Sequence, residues 1–346
     1  MSPHLQIEQS AALRAYLLNF VYHLTSEMFD GDRTVAYRVD VDWAPMYEAL
    51  MSLQAFANKP DRKILEAGEA WVKATREQLT PELVADLADL AAADQYDTLS
   101  WLDLLVRQCP GERDVDGFLR WLPALSPGEL YERMAPFAGD GYAVLPRDAG
   151  AMRDEAAHLI ARWHEGYFRH IDAAILEGLR AAAIAARARA DVMAPLEAVE
   201  HATNGVRYLP EPPPDLVVLI PQYHYRPWSV FNHYQGLHII GYPVDALPPA
   251  PGAPPPPLPR LTRALSDESR LRILRFLASE PRGFTEIVRF SGLAKSTVHH
   301  HMVILRAAGL VRVLVRQCGD SAETYALRPH AIDTVGEQLR AFLHPM

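Results

Sequence analysis

The chain has 346 residues, with 34 Lys+Arg against 43 Asp+Glu for a formal charge of −9, and that length exceeds one comfortable core, so two domains are expected. Its two cysteines, Cys109 and Cys318, offer neither a disulfide framework nor a zinc pattern and suit a reducing cytoplasm. The opening MSPHLQIEQS lacks a basic region followed by an apolar core, and apolar runs stop short of membrane-spanning length, so neither a secretory signal nor a membrane partner is expected.

Helical periodicity dominates the first two-thirds. It predicts helices over Ile7–Met28, Ala44–Ala57, Arg62–Gln78, Pro81–Ala92, Thr98–Gln108, Val115–Leu122, Pro127–Met134, Ala149–His164, Phe168–Ala190 and, shorter, Pro195–Ala202. Pro110-Gly111 and Pro127-Gly128 punctuate them. The character changes at Leu216–Ile220 (LVVLI) and Leu237–Tyr242 (LHIIGY), two buried-strand runs expected to form a small antiparallel sheet capping the helical body.

Between those strands lie aromatic residues with polar tips. Tyr223, Tyr225, Trp228, Phe231 and His233 are candidate walls of a pocket for a small-molecule effector, with apolar surfaces and a few fixed hydrogen bonds. The same residues would also serve to pack the sheet on helices, as a core or an interface. Pro243–Pro259 (PVDALPPAPGAPPPPLP) cannot form helix or central strand and is expected to be a semi-rigid linker.

Past the linker, Ser266-Asp267-Glu268 opens a helix with Ser266 as the expected N-cap, and Pro281 follows its end. A second helix runs from Phe284 to Ser291-Gly292, where glycine permits a left-handed turn. A third, Lys295–Ala308, has Val298, Met302 and Leu305 as its inner stripe and Lys295, Ser296, Thr297, His299 and His300 on its opposite, early face. Leu310–Arg316 alternates as a strand, Cys318–Ser321 reads as a turn and Thr324–Leu327 as the returning strand. A last helix over Ala331–Leu343 carries Ile332, Val335, Leu339 and Phe342.

Helix, turn, exposed helix and hairpin is a winged helix-turn-helix, whose second helix enters the major groove by its N-terminus. The stretches LTRALSDESRLRILRFL and FTEIVRFSGLAKSTVHHHMVILRAAGLVRV resemble the ArsR family of bacterial winged-helix repressors. The resemblance implies that Lys295, Ser296, Thr297, His299 and His300 face DNA, with Arg316 and the turn near Asp320 along the backbone. It also implies a homodimer built from the helix before Ser266 and the last helix. This chain departs from the family in having Ala294 where a serine commonly caps the recognition helix, and His299 where serine is common. His301, before the inward Met302, is expected to be structural.

Charge divides with the domains. Residues 258–346 hold 13 Lys+Arg against 8 Asp+Glu, and the rest 21 against 35. A basic module on an acidic body fits DNA binding confined to one end. The family's metal sites do not recur: Phe284–Ser291 has no cysteine, and His330, Asp333, Glu337 and His344 lack the Asp-x-His pattern of relatives that bind metal on the last helix. His164 and His170, six apart, miss the spacing of four that two ligands on one helical face need. No metal, cofactor, phosphate loop, nucleophile elbow or catalytic residue is expected, so the chain is not expected to be an enzyme.

The expected fold is mainly α: a helical sensor or assembly domain (1–242) with a small terminal sheet, a linker (243–259), and an α+β winged helix-turn-helix (260–346). The expected function is a homodimeric, cytoplasmic, bacterial-type transcription regulator, a repressor by family default, with double-stranded DNA as partner and an effector sensed by the N-terminal domain. Lys295, Arg312 and Arg316 are the expected phosphate or guanine contacts, and Ser296, Thr297, His299 and His300 the base readers. A winged domain that dimerises without DNA, and a DNA-binding protein with an enzymatic N-terminal domain, are the alternatives.

Overall fold

The computed structural model describes residues 35–58, 61–92, 99, 101–139, 142–316 and 324–344. The helix expected over Ile7–Met28 and the turn over Cys318–Ser321 lie outside the described residues. In chain order the body comprises β1 (Arg38–Val41), α1 (Pro45–Ala57), α2 (Gly68–Gln78), α3 (Pro81–Ala92), α4 (Leu102–Gln108), α5 (Val115–Trp121), α6 (Pro127–Met134), α7 (Ala149–Gly166), α8 (Ala173–Ala190), α9 (Pro195–Ala202), β2 (Val206–Tyr208), β3 (Leu216–Gln222), β4 (Val230–Tyr234) and β5 (Leu237–Pro243). The C-terminal part follows as α10 (Pro257–Leu265), α11 (Glu268–Leu277), β6 (Arg282–Gly283), α12 (Phe284–Ser291), α13 (Lys295–Ala307), β7 (Val311–Val315), β8 (Thr324–Leu327) and α14 (Pro329–Leu343).

The body is built around a mixed sheet of order β1-β3-β5-β4. This corrects the antiparallel expectation: β3 and β5 run parallel, Leu216 opposite Leu237, and β1 is parallel to β3 on the other side. The antiparallel partner of β5 is β4, joined to it through Gln235-Gly236, where Gly236 takes φ +72. The sheet also does not cap the body, because helices cover both its faces. Val218, Ile220 and Ile239 face the large core containing α1, α4 and α7. Val217, Leu219 and Ile240 face the cluster that includes Ala183 and Ala186 of α8 and Val199 of α9. A strand buried on both faces reads as a continuous apolar run, which is what LVVLI is.

Buried polar groups pin this core. Glu48, fully buried, accepts from the Tyr223 and His224 backbone N–H groups at 3.0 and 3.2 Å and from His224 Nδ1. His224 Nε2 meets the Tyr167 hydroxyl at 2.7 Å, and that hydroxyl accepts from Trp71 Nε1 at 2.8 Å. Burial alone would raise Asp42, but Arg113 at 2.7 Å and the Tyr47 hydroxyl pull its carboxyl down to about 2.

The winged helix has its own core: Ile273, Leu277, Ile287, Val298, Leu305 and Val311, with their neighbours. Its start differs in one detail from expectation. Asp267, not Ser266, is the N-cap of α11, accepting from the Arg270 N–H at 3.0 Å, while the Ser266 hydroxyl donates to the Arg263 carbonyl. The proline-rich segment is shorter than expected as a spacer: β5 ends at Pro243 and α10 begins at Pro257. It is also tied down. Arg260 Nη2 donates to Asp245 at 2.6 Å and to Glu66 at 2.6 Å, and Val244 N–H to the Gln222 carbonyl at 2.9 Å.

The two parts share a sheet. The wing strands run in the order β2-β7-β8-β6, and β2 belongs to the body. Val206–Tyr208 pairs parallel with Val313–Val315, and Leu209 and Glu211 continue the ladder by donating to the carbonyls of Val315 and Arg316 at 2.8 and 3.0 Å. Glu200, at the end of α9, accepts from Arg312 Nε at 2.8 Å and lies 3.5 Å from Arg328 Nε and 3.8 Å from Arg207 Nη1. Removing one member of a mostly buried ion pair leaves the other charge uncompensated. Glu200→Gln is therefore expected to cost about 3 kcal/mol and to split chemical denaturation into separate transitions of wing and body. A single transition with an unmoved midpoint counts against this junction.

Candidate nucleic-acid interface

The recognition helix is oriented by its inner stripe. Val298, Met302 and Leu305 are buried against Ile273, Leu274 and Ile287, so the opposite face must point outward. The preceding turn is set by Gly292 at φ +68, a left-handed C-cap that a side chain would strain. Lys295, Ser296, Thr297, His299 and His300 are all exposed on the resulting outer face. Ala294 is the N-cap and makes no side-chain cap bond, which leaves first-turn N–H groups open to an anion such as a DNA phosphate. The His299 ring meets Phe284 edge-on at 6.4 Å.

His301 turns inward and is 7% exposed, with Nδ1 3.5 Å from Arg270 Nη1. Arg270 in turn donates to the carbonyls of Ala264 and Arg263 at 2.8 and 2.7 Å, locking α11 onto α10. The structural role expected of His301 is what its position gives.

The wing arginines divide. Arg316 is exposed at the end of β7. Arg312, expected to contact DNA, is instead bound to Glu200 on the body side, and its neighbour Leu314 is 5% exposed. Strand alternation placed Arg312 and Leu314 opposite the wing core, and in the sequence that side reads as solvent. The body fills it. Sequence reasoning also missed Glu200, Asn204 and Arg328, because their contacts span more than a hundred residues or join segments without a local pattern. Arg328 donates to Asn204 Oδ1 at 2.9 Å and to the Gly309 carbonyl at 3.0 Å.

The five candidate effector residues fall in different surroundings. Tyr225 is buried in the large core. Tyr223 lies beneath the Arg226 guanidinium at 3.5 Å. Trp228 donates from Nε1 to the Ile64 carbonyl at 3.0 Å and carries Arg306 of α13 over its ring at 5.5 Å. Phe231 and His233 stack on each other at 6.2 Å and on Tyr208 of β2 at 5.6 and 6.4 Å. Trp228 and Phe231 line one small cavity, with Arg306, Val311 and Val313 of the winged helix on its other side. Among the described residues no group of three or more His, Cys, Asp or Glu is placed to hold a metal, and no helix is long and apolar enough to cross a membrane.

Residues 267–313 match the family model described as bacterial regulatory protein, arsR family. The match covers α11 through the middle of β7, so the chain contains an ArsR-family helix-turn-helix, a DNA-binding module of transcription regulators. No curated protein and no solved structure matches the chain.

The histidines behind β2 make a measurable prediction. Burial lowers His233 to about 4, and burial with the added His233 charge lowers His238 to about 3, both from an ordinary value of 6.5. From pH 6.5 down to about 4 the unfolded chain binds these protons and the folded chain does not, so both histidines make stability fall as acid is added. Asp103 acts in the opposite sense, since burial raises it to about 7. His233→Phe keeps the ring stack and removes one opposed proton. Relative to the parent chain, its unfolding free energy is expected to improve between about pH 8 and about pH 5; a difference that does not change with pH would contradict the shift.

Proposed function

We propose that the chain is a homodimeric transcription regulator, a repressor in its default action, that works in the cytoplasm on operator DNA. One observation carries this: the outer face of α13 presents Lys295, Ser296, Thr297, His299 and His300 to solvent beside an uncapped helix N-terminus, while its inner stripe is locked. The arsR-family match over residues 267–313 and the basic balance of residues 258–346 support it. Lys295 and Arg316 are assigned to phosphates or guanine, and Ser296, Thr297, His299 and His300 to base edges. Arg312 is left out of the contact set because Glu200 holds it.

An apolar groove supports the dimer. Leu265, Leu271, Leu274, Leu327, Ile332 and Val335 line it, and Leu271 and Ile332 are 47% and 41% exposed, with Leu339 and Leu343 further along α14 at 42% and 59%. A continuous exposed patch of this kind marks an association surface, and a self-complementary patch closes as a two-fold dimer. Two recognition helices held that way would read half-sites about one helical turn apart. No catalytic step is assigned to the body, whose aromatic segment is spent on packing: His224, Tyr225, Tyr234, His238 and Tyr242 are all buried.

Two measurements test this reading. Lys295→Ala with Arg316→Ala is expected to weaken binding to duplex DNA and to reduce the slope of log affinity against log salt by about two, one per lost phosphate contact; an unchanged slope removes both from the interface, and no binding to any duplex at low salt leaves a protein-interaction module. Leu271→Glu with Ile332→Glu is expected to yield monomers by sedimentation with helix content unchanged, and a dimer that persists places the interface elsewhere.

A further inference from the structure

We propose that the cleft between body and winged helix is a binding site for a small organic carboxylate, received by Arg328. The cleft has a volume of about 450 Å³, space enough for a metabolite-sized molecule. Its polar walls are His201 and Asn204 of the body, Arg260 of α10, and Arg328, His330 and Thr334 at the start of α14. Pro227, Pro257 and Leu261 supply an apolar floor, and Ala307, Ala308 and Gly309 bring in the last turn of the recognition helix.

The charges in this cleft are unevenly answered. Arg260 is matched by two carboxylates, Asp245 at 2.6 Å and Glu66 at 2.6 Å. Asp245, the acid on the wall, is already committed to Arg260 and to Arg226. Arg328 has only a shared carboxylate among the described residues: Glu200 pairs with its Nε at 3.5 Å and makes its closer bond, 2.8 Å, to Arg312. Its Nη1 donates to the neutral oxygens of Asn204 and Gly309. Yet the Arg328 side chain is only 18% exposed. Such a guanidinium is suited to an added anion, which would share it with Glu200. Burial acts most strongly against the charged form of Arg328, Glu200 favours it and the Arg312 charge opposes it, while burial with the Arg189 and Arg328 charges lowers the neighbouring His201.

The regulatory consequence rests on the DNA-binding reading above. A carboxylate on Arg328 shares it with Glu200 and fills the space against the end of α13. The ligand therefore binds one disposition of the domains better than another, and DNA affinity changes by the same coupling.

The probes are benzoate and 3-hydroxybenzoate, each against its primary amide, titrated calorimetrically into the full chain. Carboxylates are expected to bind and to raise the melting temperature, and the amides to do neither. Arg328→Gln should weaken carboxylate binding at least tenfold. Thr334→Trp, which fills the cleft from α14 without touching a core residue, should do the same and decides the matter if Arg328→Gln fails to fold. Absence of carboxylate binding, equal binding of the amides, or undiminished binding by the variant would overturn the site. The two readings fail separately. Retained binding to duplex DNA without carboxylate binding rejects the cleft alone, and carboxylate binding without DNA binding rejects the regulator.

Discussion

The architecture depends on one carboxylate and three residues of strand. Glu200 draws Arg312 of the wing and Arg328 at the head of the last helix to the end of α9, and Val206–Tyr208 then adds itself to the exposed edge of β7. An acidic residue in the last turn of a helix is disfavoured by the helix dipole. Glu200 stands in the last turn of α9, so its position makes sense only with the arginines that answer it. The strand addition solves a second problem. The edge of a wing presents unpaired N–H and C=O groups, a template for unwanted pairing. Here that edge is occupied by the chain's own body.

The junction is stiff on both sides. Tyr208, fully buried, pairs through its backbone with Val315, meets His238 Nδ1 through its hydroxyl at 2.6 Å, and accepts from the Tyr37 hydroxyl on its carbonyl at 2.8 Å. A displacement of the wing edge is thereby felt at β5, in the sheet at the centre of the body. The approach is close at one more point. Gly309 takes φ +67, and a Cβ there would fall 2.2 Å from the Asn204 side chain. Glycine ends the recognition helix and also leaves room for the body to dock against that end.

What could be read in the sequence follows from where each interaction is encoded. The helix-turn-helix was legible because its signals are local: the Val298, Met302 and Leu305 stripe, glycine at 292 and 309, and alternation across Val311–Val315 each lie within one helix, turn or strand. The helices of the body were legible for the same reason. The strands Arg38–Val41 and Val206–Tyr208 were not, since four and three residues carry too little periodicity to register. The parallel pairing of β3 with β5 was hidden too. A buried run such as LVVLI does not say which neighbour it will take, and the hairpin partner of β5 was the half-polar Val230–Tyr234. Arg312 was misplaced for a physical reason: alternation identifies the side away from the wing core but not what covers that side. The aromatic segment scattered because β4 alternates. Phe231 and His233 face Tyr208, while Val230 and Tyr234 face the large core.

These placements divide the winged helix into three separate faces. The outer face of α13 is polar and open. The groove between α11 and α14 is apolar, lined by Leu271, Leu274, Ile332 and Val335. The body holds the third, the β7 edge and the end of α13, through Glu200, β2 and Arg306 on Trp228. Among the described residues, the body therefore neither occupies the apolar groove nor covers the early residues of α13. Any influence it exerts on a DNA-reading surface must pass through the end of the recognition helix and the wing. Those elements set the angle at which α13 is presented, whereas the apolar groove would set the distance between two copies. In the dimer proposed above, a body docked in this way would change the fit of each half-site while leaving the spacing of half-sites alone.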